Sequence, residues 1–213
     1  MKRLFLASSI DCVASAIAKH IGQVSKLKTV FISTAAEVET GDKQWLKDDR
    51  QGLVKAGFDL FDYTLTGKNL QQLETDLAQV DVIHVNGGNS FYLLLQARIS
   101  GFDRFVKTAV NQGKIYLGSS AGSIVASPDI SIAKTIEAKA YEAELKTFEA
   151  FNLVDFIVLP HWGNKYFKDL YLNHRLDTAY KKGNKIILLN DDQYVAVKDD
   201  WYQIVDVSKS SRL

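Results

Sequence analysis

Residues 114–125 read Lys114-Ile115-Tyr116-Leu117-Gly118-Ser119-Ser120-Ala121-Gly122-Ser123-Ile124-Val125. Ile115-Tyr116-Leu117 is a short apolar run of β-favouring residues. It passes directly into Gly118-x-Ser120-x-Gly122 and then into the apolar start of a helix. A turn this tight leaves no room for side chains on either side of the serine, so glycine stands at both flanking positions. The geometry lifts the Ser120 hydroxyl out of the strand end and sets it beside a helix N-terminus, where backbone amides can meet an oxyanion. Ser120 is therefore a candidate nucleophile. A Gly/Ser turn that only caps a helix is the plainer alternative. Ser119 and Ser123 are rival hydroxyls, but Ser120 alone lies between the glycines.

A strand that hands over to a helix at a sharp turn belongs to an alternating chain, and the flanking sequence alternates in that way. Further apolar runs lie at Leu4 to Ala7, Thr29 to Ser33, Asp59 to Tyr63, Val82 to Asn86, Phe156 to Pro160 and Lys185 to Leu189. Between them fall helical-period segments such as Trp45 to Ala56, and Leu70, Leu73, Leu77 and Val80 repeat at helical spacing. Apolar strands separated by helices predict an α/β fold, a doubly wound, mostly parallel sheet covered on both faces. Gln193 to Val197 and Trp201 to Val207, parted by Lys198-Asp199-Asp200, predict a terminal hairpin. With no repeat, low-complexity tract or linker, and only two prolines, residues 1–213 read as a single domain.

Composition narrows the partners. Twenty-six basic against 25 acidic residues give a formal net charge of +1, with no excess of cations to hold a polyanion, so nucleic acid is not expected. Cys12 is the only cysteine, which excludes an intramolecular disulfide and argues against a thiolate metal site. Its side chain reads as a small buried hydrophobe. Met1-Lys2-Arg3 and the apolar residues after it faintly imitate a signal peptide, but Asp11 interrupts them, and no run approaches the roughly 18 apolar residues of a membrane span. A cytoplasmic setting is expected.

In open α/β sheets ligands gather at the carboxyl ends of the strands. After Val82 to Asn86 comes Gly87-Gly88-Asn89-Ser90, a loop able to bring backbone N–H groups close to a ligand and to join the Ala121 amide in an oxyanion hole. A simple turn with Asn89 capping the next helix is the alternative. Of four histidines, His20 reads as a surface residue, His84 as a strand-interior core residue and His174 as part of a polar helix. His161 differs, because it follows Val158-Leu159-Pro160 at a strand's carboxyl end, where a base can reach a hydroxyl on another parallel strand. An imidazole in that role needs an acceptor on its other nitrogen. Asp191 comes first after Ile186 to Asn190, with Asp192 as the alternative and Asp129 a weaker one. The order Ser120, His161, Asp191 differs from the Ser, acid, His order of ordinary α/β-hydrolases.

Gly87-Gly88-Asn89, Gly118-Ser119-Ser120-Ala121-Gly122, Leu159-Pro160-His161 and Leu189-Asn190-Asp191-Asp192-Gln193 together resemble the peptidase E (aspartyl dipeptidase) and cyanophycinase family of serine peptidases. Leu4 to Ser9 and Phe31 to Ala36 are similar to that family as well, so the likeness runs through nearly the whole chain. The resemblance implies a three-layer sandwich of the class I glutamine amidotransferase (flavodoxin-like) type and a metal-free, cofactor-free Ser-His-Asp triad. Carried over residue by residue, Ser120 is nucleophile, His161 base and acid, Asp191 the orienting carboxylate, and Gly88 and Ala121 the oxyanion-hole amides. Asn89 joins them as a substrate contact. The implied partner is a small peptide with an N-terminal aspartate, cleaved by a monomer or homodimer. An arginine must then meet the aspartate side chain, and Arg175 is the candidate, with an exposed helical arginine the alternative reading. An acidic position that some relatives carry between the turn and the histidine appears here as Thr135 or its neighbours. Residues 136–151, rich in Glu, Lys and Ala, are expected to form a helix over the site. Hydrolysis of a β-aspartyl–arginine bond, as in cyanophycinase, and a non-catalytic binding module of the same fold are the other functions open to this sequence.

Overall fold

The computed structural model describes residues 1–134 and 139–208. In chain order the elements are β1 (Arg3–Ala7), α1 (Ile10–Ile21), β2 (Lys28–Ile32), α2 (Gln44–Lys55), β3 (Asp59–Tyr63), α3 (Leu70–Asp76), β4 (Val82–Val85), α4 (Ser90–Ser100) and α5 (Phe102–Asn111). Then come β5 (Ile115–Ser119), α6 (Ala121–Ile124), α7 (Lys139–Leu145), β6 (Ile157–Leu159), α8 (Lys168–Leu170), α9 (Leu176–Lys182), β7 (Ile186–Leu188), β8 (Gln193–Lys198) and β9 (Trp201–Asp206).

Seven strands form the main sheet in the order β3-β2-β4-β5-β1-β8-β9. The first five are parallel, and the expected terminal hairpin, β8 with β9, adds an antiparallel edge against β1. Strand pleating sorts the side chains onto two faces. Phe5, Ala7, Phe31 and Leu117 pack with Ile10, Val13 and Ile17 of α1 and Leu53 of α2. Leu4, Leu6, Val30, Ile83 and Tyr116 point the other way, into the apolar faces of α3, α4 and α5. Both faces of β1, β2, β4 and β5 are thus buried, which accounts for their nearly unbroken apolar sequence.

Two expectations about strands need correction. Phe156 to Pro160 and Lys185 to Leu189 do not join the main sheet. They supply β6 and β7, a separate parallel pair in register Val158 to Ile187, with its own small core of Leu159, Tyr171 and Ala179. Asp59 to Tyr63, read as one of the apolar runs, is the edge strand β3, in which Asp59, Phe61 and Asp62 are exposed. Cys12 also departs from its reading. The buried face of α1 holds Ile10, Val13, Ala14 and Ile17, and Cys12 falls outside it on the exposed side. No helix among the described residues is long and apolar enough to cross a membrane.

Register brings three strand ends to one place. Gly118 pairs with both Leu6 and Val85, and Ala7 with Ser119, so the residues after β1, β4 and β5 emerge side by side. The approach is close enough to require glycine. A Cβ on Gly122 would stand 1.9 Å from the Val85 carbonyl oxygen, and one on Gly118 would stand 2.8 Å from the Gly122 carbonyl oxygen. Gly122→Ala therefore has to push α6 away from β4, and we expect it to lose at least about 3 kcal/mol of stability. Urea unfolding checks this; a variant midpoint equal to that of the parent protein would show that the contact yields without cost.

Candidate active site

Ser120 occupies a backbone conformation, φ 49° and ψ −109°, that non-glycine residues rarely adopt. It is held there because the Ser120 amide donates to the Ala7 carbonyl (3.1 Å) and the Ser120 carbonyl accepts from the Ser123 and Ile124 amides opening α6. The two neighbouring serines are occupied with structure. Buried Ser119 accepts from the Ile10 amide (3.1 Å), and buried Ser123 donates to the Ala7 carbonyl (2.7 Å). Of the three hydroxyls, that of Ser120 faces the cleft and meets an imidazole.

That imidazole is His161, on the loop after β6, itself at a positive φ of 65°. Its Nε2 lies 3.0 Å from Ser120 Oγ and its Nδ1 2.6 Å from Asp191 Oδ1. With the carboxylate as acceptor, the network assigns the proton to Nδ1 and leaves Nε2 free to accept from Ser120. Phe167 stacks on the ring at 5.0 Å between centroids and 16° between planes, fixing its orientation. Asp191 is held well below the usual carboxylate range, chiefly by the hydrogen bond from His161, with Ser8 and the Asn164 side chain adding to the effect against partial burial. Asp192, the alternative acid, is exposed, and its amide turns back to the Asn190 side chain. Asp129 is tied to Ser131.

Ser120, His161 and Asp191 open into a cleft of about 720 Å³ that Gly87, Gly88, Asn89 and Arg175 also line. Gly87 passes so near Ser120 that a Cβ there would come within 3.2 Å of Ser120 Cβ. Gly88 has φ 125°, and a Cβ on it would meet the Ala35 carbonyl oxygen at 2.3 Å, so only glycine presents its backbone here. Ala121, the first residue of α6, has its amide at the same turn. Asn89 both lines the cleft and caps α4: its side-chain oxygen accepts from the Phe91 and Tyr92 amides at 3.0 Å. As that oxygen is engaged, and the Asn89 backbone bonds to Ala35 and Leu93, the role in substrate contact assigned to Asn89 is left to its side-chain nitrogen.

Arg175 is buried rather than an exposed helical arginine. It ends a single π-helical turn, Tyr171–Arg175, between α8 and α9, of which Tyr171 and Arg175 are the buried residues. Its guanidinium packs over the Tyr171 ring at 5.0 Å, while the Tyr171 hydroxyl donates to the Pro160 carbonyl. Among the described residues it forms no ion pair, and its Nε has no hydrogen-bond partner. A buried cation without a counter-ion is costly and calls for an anion. Lys165, by contrast, is exposed against Tyr166, and His20 and His174 are exposed away from the nucleophile. His84 is a core residue, stacked near Phe31 and bonded to Asn86; burial pushes its imidazole down to about 4.

Three contributors escape a reading of the sequence. Ser8, just after β1, donates to Asp191 Oδ1 (2.7 Å) and accepts from the His161 amide (2.8 Å). Its signal is its place, since the carboxyl end of β1 is equivalent to the ends of β5 and β6 that carry Ser120 and His161. Phe167 carries no signal. Asp49 does, as an acid in the inward stripe Trp45, Asp49, Leu53 of α2. It lines the cleft with Asp11 and Asp48, and burial, reinforced by the charge of Asp11, pushes its carboxyl up to about 7. The helix expected over the site is α7, yet it packs on α4, and none of its residues lines the cleft. Thr135 lies outside the described residues.

Comparison with known proteins agrees with this architecture. The model of peptidase family S51 matches residues 4–205. An uncharacterized peptidase of Listeria innocua is 29% identical over 200 residues, 94% of each chain. Another, from Pasteurella multocida, is 34% identical over 164 residues, 77% of this chain and 79% of that one. Peptidase E of Citrobacter koseri is 32% identical over 130 residues, 60% of this chain and 53% of its own. A crystal structure of a candidate peptidase E from Listeria monocytogenes superposes with a TM-score of 0.87 at 27% identity, covering 97% of this chain and 98% of the other. Matched from β1 to β9, the chain belongs to peptidase family S51, and it is a hydrolase of the serine peptidase kind.

Proposed function

We propose that the protein is a serine exopeptidase that releases an N-terminal aspartate from short peptides, dipeptides above all, through an acyl-enzyme on Ser120. The observation that carries the reading is the chain from Ser120 Oγ to His161 Nε2 (3.0 Å) and from His161 Nδ1 to Asp191 (2.6 Å), in the cleft that also holds buried Arg175. The reading takes the chain as one peptidase domain of the class I glutamine amidotransferase type, with the nucleophile at the turn after a central strand.

In this mechanism His161 Nε2 takes the hydroxyl proton as Ser120 Oγ attacks the scissile carbonyl, and ionised Asp191 stabilises the imidazolium that forms. The carbonyl oxygen gains charge and meets the Gly88 and Ala121 amides. His161 returns the proton to the departing amine. Water then attacks the ester, losing its proton to the same nitrogen, which passes it to Ser120 Oγ as the acyl bond breaks and the amino acid is freed. Arg175 supplies the bidentate partner for the side-chain carboxylate, and Asp11, Asp48 and Asp49, which line the same cleft, are suited to the free α-ammonium group. A zwitterionic aspartyl terminus carries the charges complementary to both.

These assignments are open to three tests. Ser120→Ala should abolish hydrolysis and fluorophosphonate labelling, and Asp191→Asn should cut turnover by orders of magnitude, about 10⁴-fold in the template triad, by favouring the wrong tautomer. A parent protein that never labels at Ser120 would point to a binding module instead. In specificity assays, aspartyl dipeptides should be cleaved at least about ten times faster than asparaginyl ones, because the amide leaves Arg175 unpaired. Arg175→Met should erase that preference while labelling persists; equal cleavage of both substrates by the parent protein refutes aspartate selection. Asp49, raised above its unfolded value, favours the folded state below about pH 4 and weakens it as pH climbs through about 7. Asp49→Asn should therefore melt several degrees higher than the parent protein at pH 8, with the gap closing at pH 4, while KM for aspartyl dipeptides rises about tenfold. An unchanged KM would remove Asp49 from the ammonium site.

A further inference from the structure

The nucleophile and its partners come from different sheets. Ser120 follows β5 of the main sheet, whereas His161 and Asp191 follow β6 and β7 of the small one. A base useful to Ser120 has to be held within hydrogen-bond distance, so something must fix one sheet's strand ends against the other's. Ser120 bonds to His161 alone, and the side chain at a main-sheet strand end that bonds to both is Ser8. Its position is unambiguous. Ser8 is fully buried, its own amide donates to the Gln193 carbonyl (3.3 Å), and its Oγ accepts from the His161 amide (2.8 Å). A hydroxyl carries one proton, and with the His161 amide already donating to the oxygen, that proton goes to Asp191 Oδ1 at 2.7 Å. The Nδ1 of His161, 3.5 Å from Ser8 Oγ, donates to the same carboxylate oxygen.

We infer that Ser8 is a positioning residue of the active site: its hydroxyl clamps the His161 backbone and the Asp191 carboxylate together at the end of β1, setting the reach of His161 to Ser120. The inference rests on the triad proposed above. Each half of the clamp has a distinct consequence. Accepting from the His161 amide holds that residue at φ 65°, a conformation it does not favour. Donating to Asp191 keeps the carboxylate ionised, so the proton shared with His161 stays on the imidazole. The remaining groups facing Asp191 do not replace it. The Cys12 thiol and the Tyr171 hydroxyl are both pushed up to about 12 and stay neutral, Asp192 is exposed, and Asn164 adds a single side-chain contact.

The test uses Ser8→Ala, with Ser8→Cys as a near-isosteric variant that replaces the hydroxyl by a weak donor, and Ser8→Thr as the variant that keeps it. Two readouts are taken: the rate at which a fluorophosphonate labels Ser120 across pH, and the titration of the Asp191 carboxyl followed by ¹³C NMR. In Ser8→Ala and Ser8→Cys, labelling should slow about tenfold to a hundredfold, the loss expected for a hydrogen bond to a charged group. The low-pH limb of the labelling profile should move to higher pH, and the Asp191 carboxyl should titrate higher than in the parent protein. Ser8→Thr should recover most of the rate and the original profile. If Ser8→Ala fails to fold, Ser8→Cys carries the test. Labelling within twofold of the parent protein with an unmoved Asp191 titration overturns the clamp, as does a slower rate with an unmoved profile, which marks a merely structural serine. The two proposals fail separately: a parent protein that does not label defeats the triad, while the carboxyl titration still decides whether Ser8 governs Asp191.

Discussion

Everything at the cleft depends on how closely two backbones approach at the carboxyl end of the sheet. The space between Val85 and residue 122 is too small for a methyl group, and the space between residues 118 and 122 is little larger. Because glycine fills both positions, α6 can start directly against β4 and β5. Ser120 then sits in its unusual backbone conformation without a clash, and the Gly87-Gly88 loop passes beside its hydroxyl. A larger residue at either position would move the helix start away from the strand ends and carry the serine with it. Packing at the turn therefore sets the stage on which hydrogen bonds of about 3 Å can form.

The cleft also carries both signs of charge. Arg175 lies buried and, among the described residues, without a counter-ion, and Asp11, Asp48 and Asp49 line the same cleft. Both arrangements are unfavourable in an empty site: a desolvated guanidinium lacks a partner, and Asp49 is forced upward in pKa by burial next to Asp11. A ligand that carries both signs at short separation relieves both penalties. This is stability held back for binding, and it is concentrated in the residues that touch the cleft and are dispensable to the core.

Much of this is legible in the chain, and the rest is hidden for physical reasons. Gly118 in Gly118-x-Ser120-x-Gly122 follows a local rule, since the atoms that demand glycine there belong to Gly122 and Ser123, and such rules survive in sequence, whereas Gly122 answers to the distant Val85. The strand runs are legible for the same reason. Which sheet a strand joins is not local: Ile157-Val158-Leu159 and Ile186-Ile187-Leu188 are as apolar as β4, and their pairing with each other depends on where distant segments dock. Arg175 is a plausible choice from the sequence, but its burial comes from one π-helical turn that periodicity does not announce. Ser8 escapes notice because it looks like the end of a strand, and Asp49 because an acid in an apolar stripe is averaged into the helix.

The separation of the two sheets has a consequence for the life of the chain. Ser120 is made long before residues 157–191 exist, yet the imidazole that bonds to its hydroxyl, and the carboxylate behind that imidazole, come from those residues. A chain emerging from the ribosome, or one whose small sheet has come undocked, carries a serine with no base to activate it. On the proposed triad, reactivity belongs to the finished molecule and to no part of it.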